Sequence, residues 1–346
     1  MSINELKKCG HPSQLWAVEE HRLVGGRGDG MRLVTMRNGK GLNATIAADR
    51  CLDLYRLEYK GINLGFFSPA GYVAPAYYEK DEFLRSFTAG FMTTCGITNC
   101  GQGGSDEFGT AYMHGRIGNI PAENLSYNAD YSGAQPAITA KGVMNEAVLF
   151  GEKLQLSRKI EMFTDKNEIV IHDSVQNQGG TKQPLMLLYH VNFGYPLLDE
   201  GIEMFVPSLK VTPYGSDAEK GIDNWDKFPC PLPSVPENCF DHELAEKENE
   251  SSVAIYNHKL NLGVMLTADR TTLDRFTQWK TFQYRDYALG FEYSSTKLGG
   301  RKKMYDEGLL KFIAPDEIVS FNLKITILEG DEGLKTARDR MDYLLK

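Results

Sequence analysis

Apolar and polar residues alternate over short runs along most of this chain. "GMRLVTMRNGKGLNATIAA", from Gly30 to Ala48, reads as a strand, an Asn-Gly turn and a second strand, the strongest short-range hairpin signal. "CLDLYRLEYKGINLGFF" alternates around Leu52, Leu54 and Leu57, with a Lys-Gly turn after Tyr59. "EKLQLSRKIEMFTDKNEIVIHDSVQNQG" gives two more strands about a turn at Asp165-Lys166-Asn167. "PLMLLYHVNFGYPLL" breaks the alternation: it is a near-continuous apolar run, as a buried strand would be. "NLGVMLTAD", "YALGFEYSS", "LLKFIAP" and "IVSFNLKITILEG" carry the strand pattern towards the C-terminus.

Helical periodicity is rare. "YEKDEFLRSFTAGF" has room for one short helix, and "EGLKTARDRMDYLLK" predicts an amphipathic one with Leu334, Ala337, Met341 and Leu344 on one side. Strand after strand without intervening helices predicts an all-β fold, a large antiparallel sandwich, as a single domain over residues 1–346. Residues 1–29 are expected to pack on it as an N-terminal extension, and 331–346 to form the terminal helix. Residues 214–250 are polar, proline-rich and aperiodic, which predicts a long irregular loop crossing a sheet face.

Composition narrows the partners. The net charge is -8 and the longest basic cluster is Arg301-Lys302-Lys303, so no face suits a phosphate backbone and no nucleic acid is expected. No run of ~18 apolar residues predicts a membrane span, and the N-terminus lacks a signal-peptide core, which points to the cytoplasm. The six cysteines, Cys9, Cys51, Cys95, Cys100, Cys230 and Cys239, are dispersed and expected to be reduced. Cys95 and Cys100 stand near one another, yet no second Cys/His pair completes a zinc spacing. "GGRGDG" has the wrong glycine spacing for a dinucleotide site, and neither a P-loop nor a nucleophile elbow occurs.

Three ionisable residues stand in unusual company. His114 lies in "YMHGRIGNIPAENL", a glycine-rich turn beside Arg116 and Asn119; His190 interrupts the apolar run "LLYHVNFGY"; Glu292 interrupts "YALGFEYSS". A charge in apolar surroundings must be paired, neutralised or used. A strand histidine is more often a satisfied structural residue, and a strand glutamate more often faces solvent. For His172, in "IVIHDSV", the ordinary reading suffices: its strand alternates and its other face is wet.

"YHVNFGYPLL" and the segment from "WKTFQYRDYALGFEYSS" to "LLKFIAPDEIVSFNLKITIL" resemble the aldose 1-epimerase (galactose mutarotase) superfamily, as does "FLRSFTAGFMTTCGITNCG…HGRIGN". The resemblance runs from about Gly30 to Glu329, nearest an uncharacterised bacterial branch of the superfamily. Asp316 departs from it, standing where the relatives have glycine in a "PGE" element. The resemblance implies an isomerase that interconverts the anomers of a monosaccharide without a cofactor. It implies His190 as general acid, Glu292 as general base, and His114 as a second histidine on a sugar hydroxyl or the ring oxygen. Acid and base on opposite sides of the ring would move the two protons that ring opening requires, each group typically contributing roughly 10²–10⁴-fold.

Further contacts are expected from Arg85 and Arg116 as forked donors, from Asn192 on the face of His190, and from Glu237 and His242 in the long loop. Gln278 and the sugar-stacking Trp279 of "TQWK" complete the set. Each has an ordinary alternative, as an ion pair or a core residue. Two competing functions stay open: a non-catalytic carbohydrate-binding or sensor protein on the same fold, and a metal enzyme using His114, His190 and Glu292 as ligands. Neither the sugar (neutral, acidic or phosphorylated) nor the oligomeric state, a homodimer being one option, can be read from the residues.

Overall fold

Three large antiparallel sheets organise the chain in a computed structural model that describes residues 6–132, 135 and 137–346. The first has five strands in chain order: Ala17–Arg22, Arg32–Arg37, Leu42–Ala47, Asp53–Tyr59 and Ile62–Asn63. The expected N-terminal extension therefore supplies this sheet's edge strand. The Asn38-Gly39 turn lies where the pattern put it, and Gly39 takes φ +73°, which a side chain would resist.

The second sheet has eight strands. Glu123–Ala129, Ile138–Ala147, Lys153–Met162 and Glu168–Asn177 form a meander, which continues through Ile318–Glu329, Leu262–Asp269, Glu250–Asn257 and Glu203–Phe205. The third has six: Ser208–Tyr214, Asn238–Leu244, Arg275–Gln283, Asp286–Ser294, Met186–Phe193 and Met92–Ile97. The terminal helix, Gly330–Leu345, buries Gly333, Ala337, Met341 and Leu344 and half-buries Leu334. The other predicted helix is one turn, Phe83–Ser86.

The strand Met186–Phe193 explains its own apolar sequence. Leu187, Tyr189, Val191 and Phe193 point into the main core. Met186 and Leu188 point the other way, into a small cluster with Cys95, Cys100, Leu298 and Met304, and by alternation His190 and Asn192 share that second face. All eight residues are buried, so neither face is polar by default.

Behind that strand the core holds a fully buried charge cluster. Arg158 Nη1 donates to Asp53 Oδ1 at 2.7 Å, while its Nε and Nη2 grip the two oxygens of Asp173 at 2.9 and 2.6 Å. Tyr189 Oη donates to Asp173 at 2.7 Å, and Arg158 Nη2 also reaches Thr94 Oγ1 at 2.8 Å. One guanidinium thus joins the first, second and third sheets.

The excursion predicted over 214–250 is shorter than expected. Irregular chain runs from Gly215 to Glu237, with two short turns of helix, and Asn238–Leu244 is a strand that zips onto Arg275–Gln283. His242 therefore belongs to the sheet and not to a loop.

Candidate active site

Strand register builds the centre of the site. In the third sheet His190 lies directly opposite Glu292, and Asn192 opposite Gly290. On the far side of that central strand Glu292 faces Thr277 and Gly290 faces Trp279. Residues paired across antiparallel strands present their side chains on one face. His190 Nε2 consequently sits 3.3 Å from Glu292 Oε1. Gly290 is needed here: a Cβ would come within 3.1 Å of the Trp279 ring and 3.2 Å of His190 Cε1. Its absence lets Trp279 lean over the strand to 5.4 Å from the imidazole, centroid to centroid.

His114 arrives from a loop. Its backbone is left-handed, φ +56°, uncommon for any residue but glycine and worth a functional reading. The turn is held on both sides, with His114 N–H donating to Gly101 O at 2.9 Å and Gly96 N–H donating to His114 O at 3.0 Å. The next residue must be Gly115, because a Cβ there would lie 2.0 Å from Gly96 O. The result is an imidazole 6.1 Å from that of His190. Phe83 packs on His114 and Phe87 on His190, at 5.0 and 5.3 Å.

These groups line one cavity of about 590 Å³, within the ordinary range for small-molecule sites. Its floor is the third sheet; its walls come from Phe83, Leu84 and Phe87, from Gly101-Gln102 and Met113-His114, from Tyr214 to Ala218, and from Pro236-Glu237 and Leu298-Gly299. Burial sets the electrostatics. It pushes the Glu292 carboxyl up to about 8, with Asp241 and Glu237 nearby adding to the effect. It lowers His190 to about 3, helped by His114 and opposed by Asn192, and lowers His114 to about 4. At neutral pH the His190–Glu292 pair therefore holds one dissociable proton. Glu292 Oε2, His190 Nδ1 and His114 Nδ1 are buried without a hydrogen-bond partner among the described residues. Unpartnered polar atoms on residues that line a cavity are candidates for a polyhydroxyl ligand to satisfy.

The other expected site residues divide. Trp279 and Glu237 line the cavity, and Trp279 Nε1 donates to Glu237 Oε2 at 2.7 Å. Arg85 is exposed and paired with Glu82, while the Arg116 guanidinium lies over the Tyr112 ring at 4.3 Å; neither lines the cavity. Asn192 is fully buried beside it and spends its amide on His190 O at 2.8 Å. Gln278 and His242 bond to each other at 3.2 Å, and also to Trp225 O and Ser208 Oγ, behind the cavity wall. His172 is tied to Glu161 and Asn322 on the outer face of the second sheet. Gln102, Asp217 and Tyr214 line the cavity unannounced by any pattern, the first two from aperiodic chain and Tyr214 from the end of a strand. Cys51, Cys95, Cys100, Cys230 and Cys239 are free thiols. Among the described residues no three His, Cys, Asp or Glu side chains are arranged to hold a metal ion.

Comparison with solved structures finds the same architecture. A candidate aldose 1-epimerase from Klebsiella pneumoniae superposes with a TM-score of 0.89 at 23% identity, over 96% of this chain and 88% of that one. A galactose mutarotase-like protein from Clostridium acetobutylicum gives 0.62 at 13% identity, over 91% and 99% of the two chains. The galactose 1-epimerase of Lactobacillus acidophilus gives 0.62 at 9%, again over 91% and 99%. These identities speak for the fold, which is galactose mutarotase-like. A comparison with curated proteins finds no match. The model of a domain of unknown function, DUF4432, matches residues 28–327, nearly the whole sandwich, and the chain belongs to that family.

Proposed function

We propose that the protein interconverts the anomers of a monosaccharide by acid–base ring opening, with His190 and Glu292 as the proton-transfer pair. The observation that carries this reading is their contact: an imidazole and a carboxyl 3.3 Å apart, both buried, on the floor of a cavity of sugar size.

The expectation from sequence put acid and base on opposite sides of the sugar ring, whereas the two groups are neighbours. Adjacency suits the reaction. The hydroxyl oxygen that loses a proton and the ring oxygen that gains one are both bonded to the anomeric carbon. As Glu292 takes the hydroxyl proton, that O–H pair becomes the carbonyl π bond. The ring C–O bond breaks, and its electrons take a proton from His190. Rotation about the next C–C bond and reversal of the transfers closes the other anomer. Proton transfer alone balances the reaction. The reactive arrangement, carboxylate beside imidazolium, has the same charge as the neutral pair, so one proton moved across the contact prepares it. His114 is positioned to hold a sugar oxygen, and Trp279 to cover an apolar ring face.

The test is anomer exchange measured by NMR on a panel of aldoses. The wild type should accelerate exchange of at least one sugar; Glu292→Gln and His190→Asn should each remove that acceleration while retaining the folded spectrum. Normal rates in both variants would overturn the assignment.

A further inference from the structure

The chemical pair says nothing about which sugars reach it, but the walls do. Among the residues lining the cavity there are three carboxyl groups, Asp217, Glu237 and Glu292, and, within the described residues, no lysine or arginine. Asp217 and Glu237 are exposed at the rim, while Glu292 lies at the floor with its Oε2 buried and unpartnered. The nearby cations Arg85, Arg116 and Lys303 are not among the lining residues. Arg85 pairs with Glu82, Arg116 covers Tyr112, and Lys303 sits over the Tyr214 ring and 3.9 Å from Glu307. Asp217 does meet Lys220 Nζ at 2.9 Å, but that pair is solvent-exposed, and Lys220 lines an adjoining groove and not the cavity itself. Exposed pairs of this kind are weak and leave a carboxylate's field largely in place. Between the acids the wall is apolar or neutral: Phe83, Leu84, Phe87, Met113, Leu298 and Trp279, with the uncharged polar side chains of Gln102, Tyr214 and Ser216. Such a wall offers neutral donors but no cation, and tight recognition of a phosphate or carboxylate calls for forked guanidinium or ammonium donors.

We propose that this site accepts uncharged monosaccharides and rejects anionic ones, both sugar phosphates and uronates, with Asp217 and Glu237 as the specificity-determining residues at its mouth. The inference rests on the sugar-binding part of the function proposed above, not on its turnover. Trp279 contributes by fixing Glu237 through its indole N–H, which keeps that carboxylate at the rim. Two carboxylates held at the mouth repel an approaching anion.

The matched probes are glucuronamide and glucuronate, equal in shape and different in charge, with glucose and glucose 6-phosphate as a second pair. Binding is read by saturation-transfer NMR and turnover by anomer exchange. The neutral member of each pair should be preferred at least about tenfold, the scale of repulsion from two exposed carboxylates. Raising the ionic strength should narrow that ratio, since exposed charges are screened. Asp217→Asn combined with Glu237→Gln should narrow it about tenfold. Equal handling of glucuronate and glucuronamide overturns the inference, as does a ratio unmoved in the double variant. Neutral sugars that bind selectively without faster anomer exchange would leave the inference standing and remove the mutarotase reading. Failure of the whole panel to bind would remove both.

Discussion

Glu292→Gln should make the protein inactive and more stable, and the gain should grow with pH. Glu292 ionises near 4.5 when solvated and near 8 in the fold, because burial penalises its charge. Between those values the folded protein must keep a proton that the unfolded chain releases. Stability attributable to this residue therefore falls as pH rises, by about 1.4 kcal/mol per pH unit. An interval of roughly 3.5 pH units sets a ceiling of about 5 kcal/mol, fully developed above pH 8. Glutamine keeps the shape and a hydrogen-bonding head but has no proton to lose. Urea unfolding of both proteins at about pH 5 and pH 8 is the assay. Near pH 5 the two should differ little; near pH 8 the variant should lead by about 2–4 kcal/mol, a large part of a typical 5–15 kcal/mol total. Other titrating groups cancel in the difference. Equal stability differences at both pH values would refute the reasoning, since they would mean that Glu292 is charged in the folded protein. Catalysis should fall by about 10²–10⁴-fold over the same comparison, the usual contribution of a proton-transfer group.

Three other outcomes follow from the geometry. After subtraction of spontaneous exchange, the wild-type kcat/KM should be level from about pH 5 to 7 and decline above about 8, as the pair loses its single proton; a rate still level at about pH 9 would show that this proton is not needed. Arg158→Leu strands Asp53 and Asp173 in the core and should cost about 3–5 kcal/mol by urea midpoint; a loss below about 1 kcal/mol would show that water reaches them. Gly290→Ala forces Trp279 and His190 apart by a few tenths of an ångström and should lower kcat/KM roughly tenfold, with a shift in tryptophan emission; an unchanged rate would mean that the ring positions are not critical.

Much of the fold was legible because alternation and turn chemistry are local. The Asn38-Gly39 hairpin, the long strands around Asp165 to Asn167 and the terminal helix form where the pattern predicts them. What brings His114, His190 and Glu292 together is not local, since register between distant strands decides it. It was reachable only as an implication of family resemblance. The remaining contacts were harder. A guanidinium near a site in sequence says little about its direction, and Arg85 and Arg116 point to partners of their own. Gln278 and His242 look like ligand donors in a one-dimensional string, yet opposing strands let them satisfy each other. Asp217 lies in chain without period, where no pattern assigns a facing.

The alternation in Met186–Phe193 ties the reaction to correct folding. Tyr189 anchors the buried arginine cluster, and its neighbour His190 faces the opposite way into the cavity. Sliding this strand by a single residue would thrust the imidazole among the core carboxylates and turn the phenol outward. A molecule misaligned there would lose its structural anchor and its reactive group in one stroke, so turnover becomes a direct readout of native strand alignment.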